Sequence, residues 1–399
     1  MQLNILSRMK GAGAAGEVGG KTAGGKGRFA KTVEPVLFLV IFVAVFGYLA
    51  SHMGMSNMMN TLMQTAYHLL LETVFFLMGI TVLMGALAGL LTEFGVVQLL
   101  EKLLRPFMKP LFNLPGAAAL GAVVTFLSDN PAIISLSKNG KFARYFKTYQ
   151  LVSLTNFGTA FGMGLVVVVF MMSQGYVAAP LIGVFGAACG CLISTRLMQR
   201  FTLKAHPEYD SFVVMENMED GEEQEEEKPG VFMRMLNAML TGGKNGVDLG
   251  MAIIPGVLII STMVMILTFN TPAGEFDGSA YQGVGLLPML ADKINFVFDW
   301  LFGFTNSQLL AFPMTALGAV GAALGLVPSF AAEGILDGNA VAVCTAIGMC
   351  WSGYLSTHAA MLDSMGFRQL ISKAIGAHTI AGLCAGVIAH WVYVLFTLI

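Results

Sequence analysis

Seven stretches of this sequence, near 36–50, 67–92, 148–172, 177–197, 249–269, 339–357 and 373–397, are apolar over lengths that approach or exceed the roughly 20 residues of a bilayer crossing. Hydrocarbon offers no partner to a peptide group, so each must be helical. Composition agrees: 56% of the 399 residues are hydrophobic and only 12% charged, about half the charged share of a soluble domain. That excludes a soluble enzyme, a coiled coil and a disordered scaffold. A net charge of −2 speaks against nucleic acid as a partner, and five cysteines scattered through apolar segments form no secreted disulfide framework. The chain reads as an all-α integral membrane protein whose first partner is the lipid bilayer.

Charge divides the chain into regions. Residues 1–33 carry Arg8, Lys10, Lys21, Lys26, Arg28 and Lys31 against Glu17 alone and are rich in glycine, which reads as a flexible basic cytoplasmic tail of a protein in the inner or plasma membrane. Within it AGEVGGKT at 15–22 fits a relaxed phosphate-loop pattern, but no strand precedes it and glycines follow where a helix should start. Residues 34–66 form an anchor helix and outer loop, the basic preface being too long for a cleaved signal peptide. Residues 198–248 form an acidic cytoplasmic linker, with ten carboxylates from Glu208 to Glu227 and no lysine or arginine among them. An amphipathic piece at 231–240 is predicted to lie on the membrane surface, with Arg234 and Lys244 at the headgroups.

One apolar run is too short to span. Only 11 residues, 117–127, precede Ser128-Asp129-Asn130-Pro131, which at about 1.5 Å per residue reaches half-way through the hydrocarbon. A polar break at that depth is tolerated only where it lines a protein cavity. A re-entrant hairpin is therefore expected, and a second, at 305–330, opening from the opposite face. With both in place 21 of the 22 lysines and arginines fall on the cytoplasmic side. The series of elements in 67–197 then recurs upside down in 249–399, the inverted-repeat plan of secondary transporters, with a site at the midplane. Residues 119–123, ALGAV, recur at 316–320 in the second hairpin.

The stretch LLEKLLRPFMKPLFNLPGAAALGAVVTFLSDNPAIISLSKNG, continuing to LTNFGTAFGMG, resembles the Gate, or nucleoside-recognition, domain. Concentrative nucleoside transporters, the membrane core of ferrous-iron transporters and spore-maturation membrane proteins share that domain. GFTNSQLLAFPMTALGAVGAALG resembles a divergent second copy. The resemblance implies a helical bundle in which two opposed hairpins meet at a midplane site and move solute by alternating access. It fixes no substrate, and no GTPase domain of the iron-transporter kind is read within the chain.

Polar groups inside apolar segments cost about 1–3 kcal/mol or more each unless paired, so they mark the candidate site. The first repeat offers Ser128, Asp129 and Asn130 at the hairpin tip and Asn156 and Thr159 in the next span; the second offers Asn306 and Ser307 at the start of its hairpin and Ser352 in WSGYLSTH. Asp129, a carboxylate at half-membrane depth, is the expected binder or relay of a coupling cation. Asn156 and the threonines could equally serve to tie helices together. Trp351 and Tyr354 could stack on a heterocycle or form an interfacial belt, and His358 and His390-Trp391 suit an interface. The expected function is a secondary carrier, coupled to H⁺ or Na⁺, of a small polar solute such as a nucleoside.

Three rivals stay open. HMGMSNMMN at 52–60 and the 27 methionines suggest a soft-metal or ferrous-type transporter, although thioethers are also ordinary packing groups. A membrane assembly protein is the second. An enzyme is the weakest, because no metal-spaced histidine pair or nucleophile beside a base is present in the sequence. No cofactor and no resident metal site are expected. Gly79, Gly85 and Gly89 form a small-residue surface that a homo-oligomer or internal packing would use equally.

Overall fold

The computed structural model describes residues 26–130, 132–138, 140–213, 230–272 and 274–398. The phosphate-loop pattern at 15–22 and the acidic run at 214–229 lie outside the described residues. From its N-terminus the described chain forms α1 (Val33–Met53), α2 (Met55–Glu93) and a short amphipathic helix, α3 (Val96–Phe107). A first hairpin of α4 (Ala118–Leu127) and α5 (Ala132–Lys138) follows, then α6 (Thr148–Ser173), α7 (Ala178–Ala205), α8 (Val231–Thr268) and α9 (Asn295–Phe302). A second hairpin rises through Ala311–Ala316 and returns as α10 (Val320–Ala332), before α11 (Gly338–Ser364) and α12 (Arg368–Thr397).

Seven of these helices are long and apolar enough to cross a membrane. The hairpins are not. α4 has 10 residues, about 15 Å, and the apolar run at 309–327 is interrupted at Ala319, whose backbone is extended at φ −161°, ψ 124°. Both segments are therefore re-entrant. Their flanking helices correspond in pairs, α2 with α8, α6 with α11 and α7 with α12. The likeness extends to irregularities: α2 widens into a π-turn at Leu69–Val74 and α8 at Gly256–Ser261. In α8 the cause is Pro255, which has no N–H to give the ladder; nothing in the local sequence supplies one in α2. α6 breaks after Thr159 and restarts beyond Met163 (φ 54°), and α11 breaks after Trp351 and restarts beyond Gly353 (φ 68°). The repeated ALGAV does not share this correspondence, since 119–123 lies inside α4 whereas 316–320 is the tip of the second hairpin.

Two segments differ from the expectation. The outer loop expected after the anchor is instead helical: α1 runs to Met53 and, after Gly54, residues 55–66 are the first turns of α2, held down by the loop at 270–285, where Asn57 Nδ2 donates to the Phe276 carbonyl at 2.7 Å and Tyr281 N to Thr65 Oγ1 at 2.9 Å. The surface helix at 231–240 is continuous with α8. The reason is the α2–α8 crossing, where Gly85 and Gly242 abut so closely that a Cβ on either would overlap the other's carbonyl, and Gly246 rests on the Thr81 carbonyl. Thr81 Oγ1 donates across the contact to the Gly246 carbonyl at 2.8 Å. Along this seam α2 carries the start of α8 with it, and Arg234 Nε donates to Glu93 Oε1 at 2.6 Å where the two helices end together.

α1, by contrast, is exposed over most of its length and touches the bundle through Leu49 and Met53, packed on Met58 and Ile266. The Gly246→Ala variant should lose about 1–3 kcal/mol of stability through overpacking, read as earlier thermal unfolding in detergent. Gly243→Ala, whose added methyl would meet Val82 at an ordinary 3.7 Å, should leave the transition in place.

Candidate functional site

Four interruptions of helix meet at one level in the molecule: the tips of both hairpins and the breaks in α6 and α11. At the first tip Ser128 closes α4 by donating to the Val124 carbonyl through both N and Oγ, and Asp129 Oδ1 accepts from Asn130 N at 2.7 Å. Asn130 is buried. Its Nδ2 donates to the Ser352 carbonyl at 2.9 Å, while among the described residues its Oδ1 has no hydrogen-bond partner. That oxygen lies against Gly162, at the α6 break, where a Cβ would collide with it. Ser352 Oγ donates to the Gly162 carbonyl at 3.3 Å, and Gly353 N donates to the Ala316 carbonyl at the second tip at 3.2 Å. Gly353 takes a left-handed conformation that a residue with a Cβ resists, so α11 cannot continue and its free peptide groups serve the hairpins.

The surroundings are asymmetric. On one side a cavity of about 1180 Å³ runs from Glu93 and Arg234, past Thr241 and Asn245 of α8, to Ser128 and Asp129 at its head. It lies between the α2–α8 pair and the first hairpin. On the other side the second hairpin sits directly on α8: Ser261 Oγ donates to the Ala322 carbonyl at 2.8 Å, and Ala319 packs on Gly256. The Glu93–Arg234 end of the cavity belongs to the end of the bundle where α2 stops, α3 carries Arg105, α6 begins after Lys147 and α7 ends beyond Arg196, a basic face.

The eight residues picked out in the sequence fall into three groups. Ser128, Asp129, Asn130 and Ser352 come together as described. Asn156, about one turn before the α6 break, and Thr159, the last helical residue before it, are buried and bonded to protein. Asn156 Nδ2 donates to Ser194 Oγ at 2.9 Å and to the Ala374 carbonyl at 3.0 Å, and Thr159 Oγ1 to the Thr155 carbonyl at 2.8 Å. Asn306 and Ser307 lie at the start of the second hairpin, well short of its tip. Asn306 Oδ1 there caps the turn by accepting from Gln308 N at 2.8 Å.

Sequence reasoning missed the carbonyls of Gly162, Ala316 and Ser352, because a backbone acceptor carries no residue signature. It also missed His378, which continues the Asn156 tie. His378 Nε2 donates to the Cys350 carbonyl, so Nδ1 accepts from Ser194 Oγ at 2.7 Å. His358 packs beside it with ring centroids 4.7 Å apart, and both are fully buried rather than interfacial. Trp351 and Tyr354 are likewise buried, Trp351 against Gly382 and Tyr354 bonded to Thr379 at 2.6 Å.

Residues 74–175 match the Gate family, described as nucleoside recognition. The Gate match takes in the second half of α2, the first hairpin and α6, and so includes Asp129, Asn130 and Gly162. An uncharacterized protein of Alkalihalophilus pseudofirmus is 26% identical over 222 residues, 52% of this chain and 46% of that protein, so the chain spans about half the length of the curated relative it matches. Among solved structures, the concentrative nucleoside transporter CNTnw in an inward-facing substrate-bound state is 14% identical, with 92% of this chain and 87% of that one covered at a TM-score of 0.49. A CNTnw variant in its intermediate 1 state gives 12% identity, 92% and 88% coverage and a TM-score of 0.48.

The Asn156 tie and the hairpin start make separable predictions. Asn156→Leu, which removes the amide donor shared by Ser194 Oγ and the Ala374 carbonyl, should cost about 1–3 kcal/mol. Ser307→Ala should shift unfolding by under about 0.5 kcal/mol, both read by thermal denaturation in detergent.

Proposed function

We propose that this chain is an alternating-access carrier of a small polar solute, of which a nucleoside or related metabolite is the leading class, and that the structure represents the state open to the basic face. The observation that carries the reading is the asymmetry around the four helix interruptions. A cavity reaches the first hairpin tip between that hairpin and the α2–α8 pair, while the second hairpin is seated directly on α8. A scaffold would have no use for a water-sized passage leading to an aspartate at half-membrane depth. The positive-inside rule makes the basic face cytoplasmic.

On this reading Asp129 and Ser128, at the head of the cavity, meet solute arriving from the cytoplasmic side, and Ser352 and the peptide groups around Gly162 lie just beyond. Asn130 Oδ1, a buried acceptor without a donor, together with the Gly162 and Ser352 carbonyls, provides oxygen ligands suited to a small coupling cation. Asp129 is the second candidate for that role. The Gate match supports nucleosides as the first solutes to test.

Uptake into proteoliposomes, with and without a Na⁺ or H⁺ gradient, tests the proposal. Gradient-dependent accumulation of a nucleoside is expected, and Asp129→Asn should lower its rate about tenfold, the scale of one lost polar contact of 1–3 kcal/mol. No solute movement under any gradient, across a panel of nucleosides and related metabolites, would remove the carrier reading. In a background lacking the five native cysteines, Ser128→Cys should react with a membrane-impermeant maleimide from the basic face. Ala319→Cys should resist the reagent from the opposite face.

A further inference from the structure

A second cavity, of about 520 Å³, lies on the basic face away from the carrier site, between the chain that follows α3 and the basic end of α7. It is lined by Pro110, Leu111, Asn113, Tyr149, Arg196 and Arg200 with two further leucines and Gln199, and among the described residues no carboxylate lines it. We propose that this cavity is a binding site for the phosphodiester headgroup of an anionic phospholipid.

The charge argument starts from Arg196. Its Nε donates to the Leu111 carbonyl at 2.7 Å and its Nη2 to the Pro110 carbonyl at 2.9 Å, carbonyls left free where the π-turn Met108–Phe112 ends at Asn113 in a left-handed conformation (φ 53°). Those bonds orient the guanidinium and use two of its five N–H groups, but a carbonyl is neutral and the positive charge is not offset. Arg200, one turn further along α7, is exposed, and among the described residues neither arginine pairs with a carboxylate. Two guanidiniums beside one polar cavity, one of them pre-oriented by the backbone, make a fork suited to phosphate oxygens.

The membrane argument distinguishes a lipid from free phosphate. Leu99, Leu103, Phe107 and Leu111 recur every four residues along α3 and its continuation, and all are exposed. This stripe faces the bilayer as an interfacial helix does. Leu111 belongs both to the stripe and to the cavity wall, so an acyl chain lying along the stripe delivers its headgroup to Arg196 and Arg200. A basic pocket between membrane helices at the cytoplasmic surface is the setting in which anionic headgroups are held.

The test is native mass spectrometry of the delipidated full-length protein, titrated separately with phosphatidylglycerol and with phosphatidylcholine. Wild type should retain phosphatidylglycerol in preference to phosphatidylcholine, and Arg200→Gln, which breaks no hydrogen bond of the fold, should weaken that retention about fivefold. Arg196→Gln with Arg200→Gln should abolish the preference, while Arg368→Gln on the same face should not alter it. Equal retention of the two lipids by wild type, or unchanged phosphatidylglycerol binding in Arg200→Gln and in the double variant, overturns the proposal. Displacement of bound phosphatidylglycerol by millimolar inorganic phosphate would also overturn it, assigning the site to a free anion.

Discussion

Inside hydrocarbon a peptide group has no water to fall back on, and an unpaired N–H or carbonyl there costs several kcal/mol. A continuous helix meets this requirement alone. This chain interrupts helix four times in the membrane, and each interruption is affordable only because another one is beside it. Gly353 N is served by the Ala316 carbonyl of the second tip, the Ser352 carbonyl by Asn130 of the first, and the Gly162 carbonyl by the Ser352 hydroxyl. The bundle around them is arranged so that the four ends coincide.

Coincidence of this kind constrains the rest of the fold. The hairpin arms must stop at half-depth, which sets α4 at 10 residues, and the broken helices must be shielded, which is why α6 and α11 are the most enclosed of the seven long helices. Outside this group stands the α2–α8 pair, joined by glycine contacts too close for any side chain. The joint between pair and group is a cavity beside the first hairpin and a hydrogen-bonded contact, Ser261 to Ala322, beside the second. A single packing arrangement thus leaves a cavity beside one hairpin and a packed, hydrogen-bonded contact beside the other.

How much of this the sequence carries depends on what kind of signal each feature leaves. Apolar runs of spanning length are unmistakable, and so is a run of 11 residues that ends in Ser-Asp-Asn-Pro. The all-helical plan and the first hairpin were legible for that reason, whereas the run at 309–327 is long enough to span and only the extended backbone at Ala319 divides it. Continuity across polar residues was not: Met55–His68 and Val231–Leu240 look like loop and surface segments because their neighbours in space, the 270–285 loop and α2, are remote in sequence. The polar residues of α11 misled in the other direction. In an unbroken helix Ser352 and Ser356 would share a face, but Gly353 turns left-handed between them, and a glycine's φ cannot be read from its letter. Asn156 showed the opposite problem, a residue type equally suited to ligand or structure, with the decision made by Ser194 and Ala374 on two other helices.

The same accounting bears on how such a molecule could change state. To expose the other face, the chain would have to exchange the Ser261–Ala322 contact for solvent and bring the first hairpin against α2 and α8. Neither step touches the four-way junction. The bonds among Asn130, Ser352, Gly353 and Ala316 lie within the group that contains both hairpins, so they can persist while its contact with α2 and α8 alters. Breaking the junction instead would strand several peptide groups in hydrocarbon, at a cost well above that of one hydroxyl-to-carbonyl bond exchanged for water. The cheaper route would keep the junction whole and shift its surroundings, which is the motion the proposed carrier would need for opposite sides of one site to open in turn.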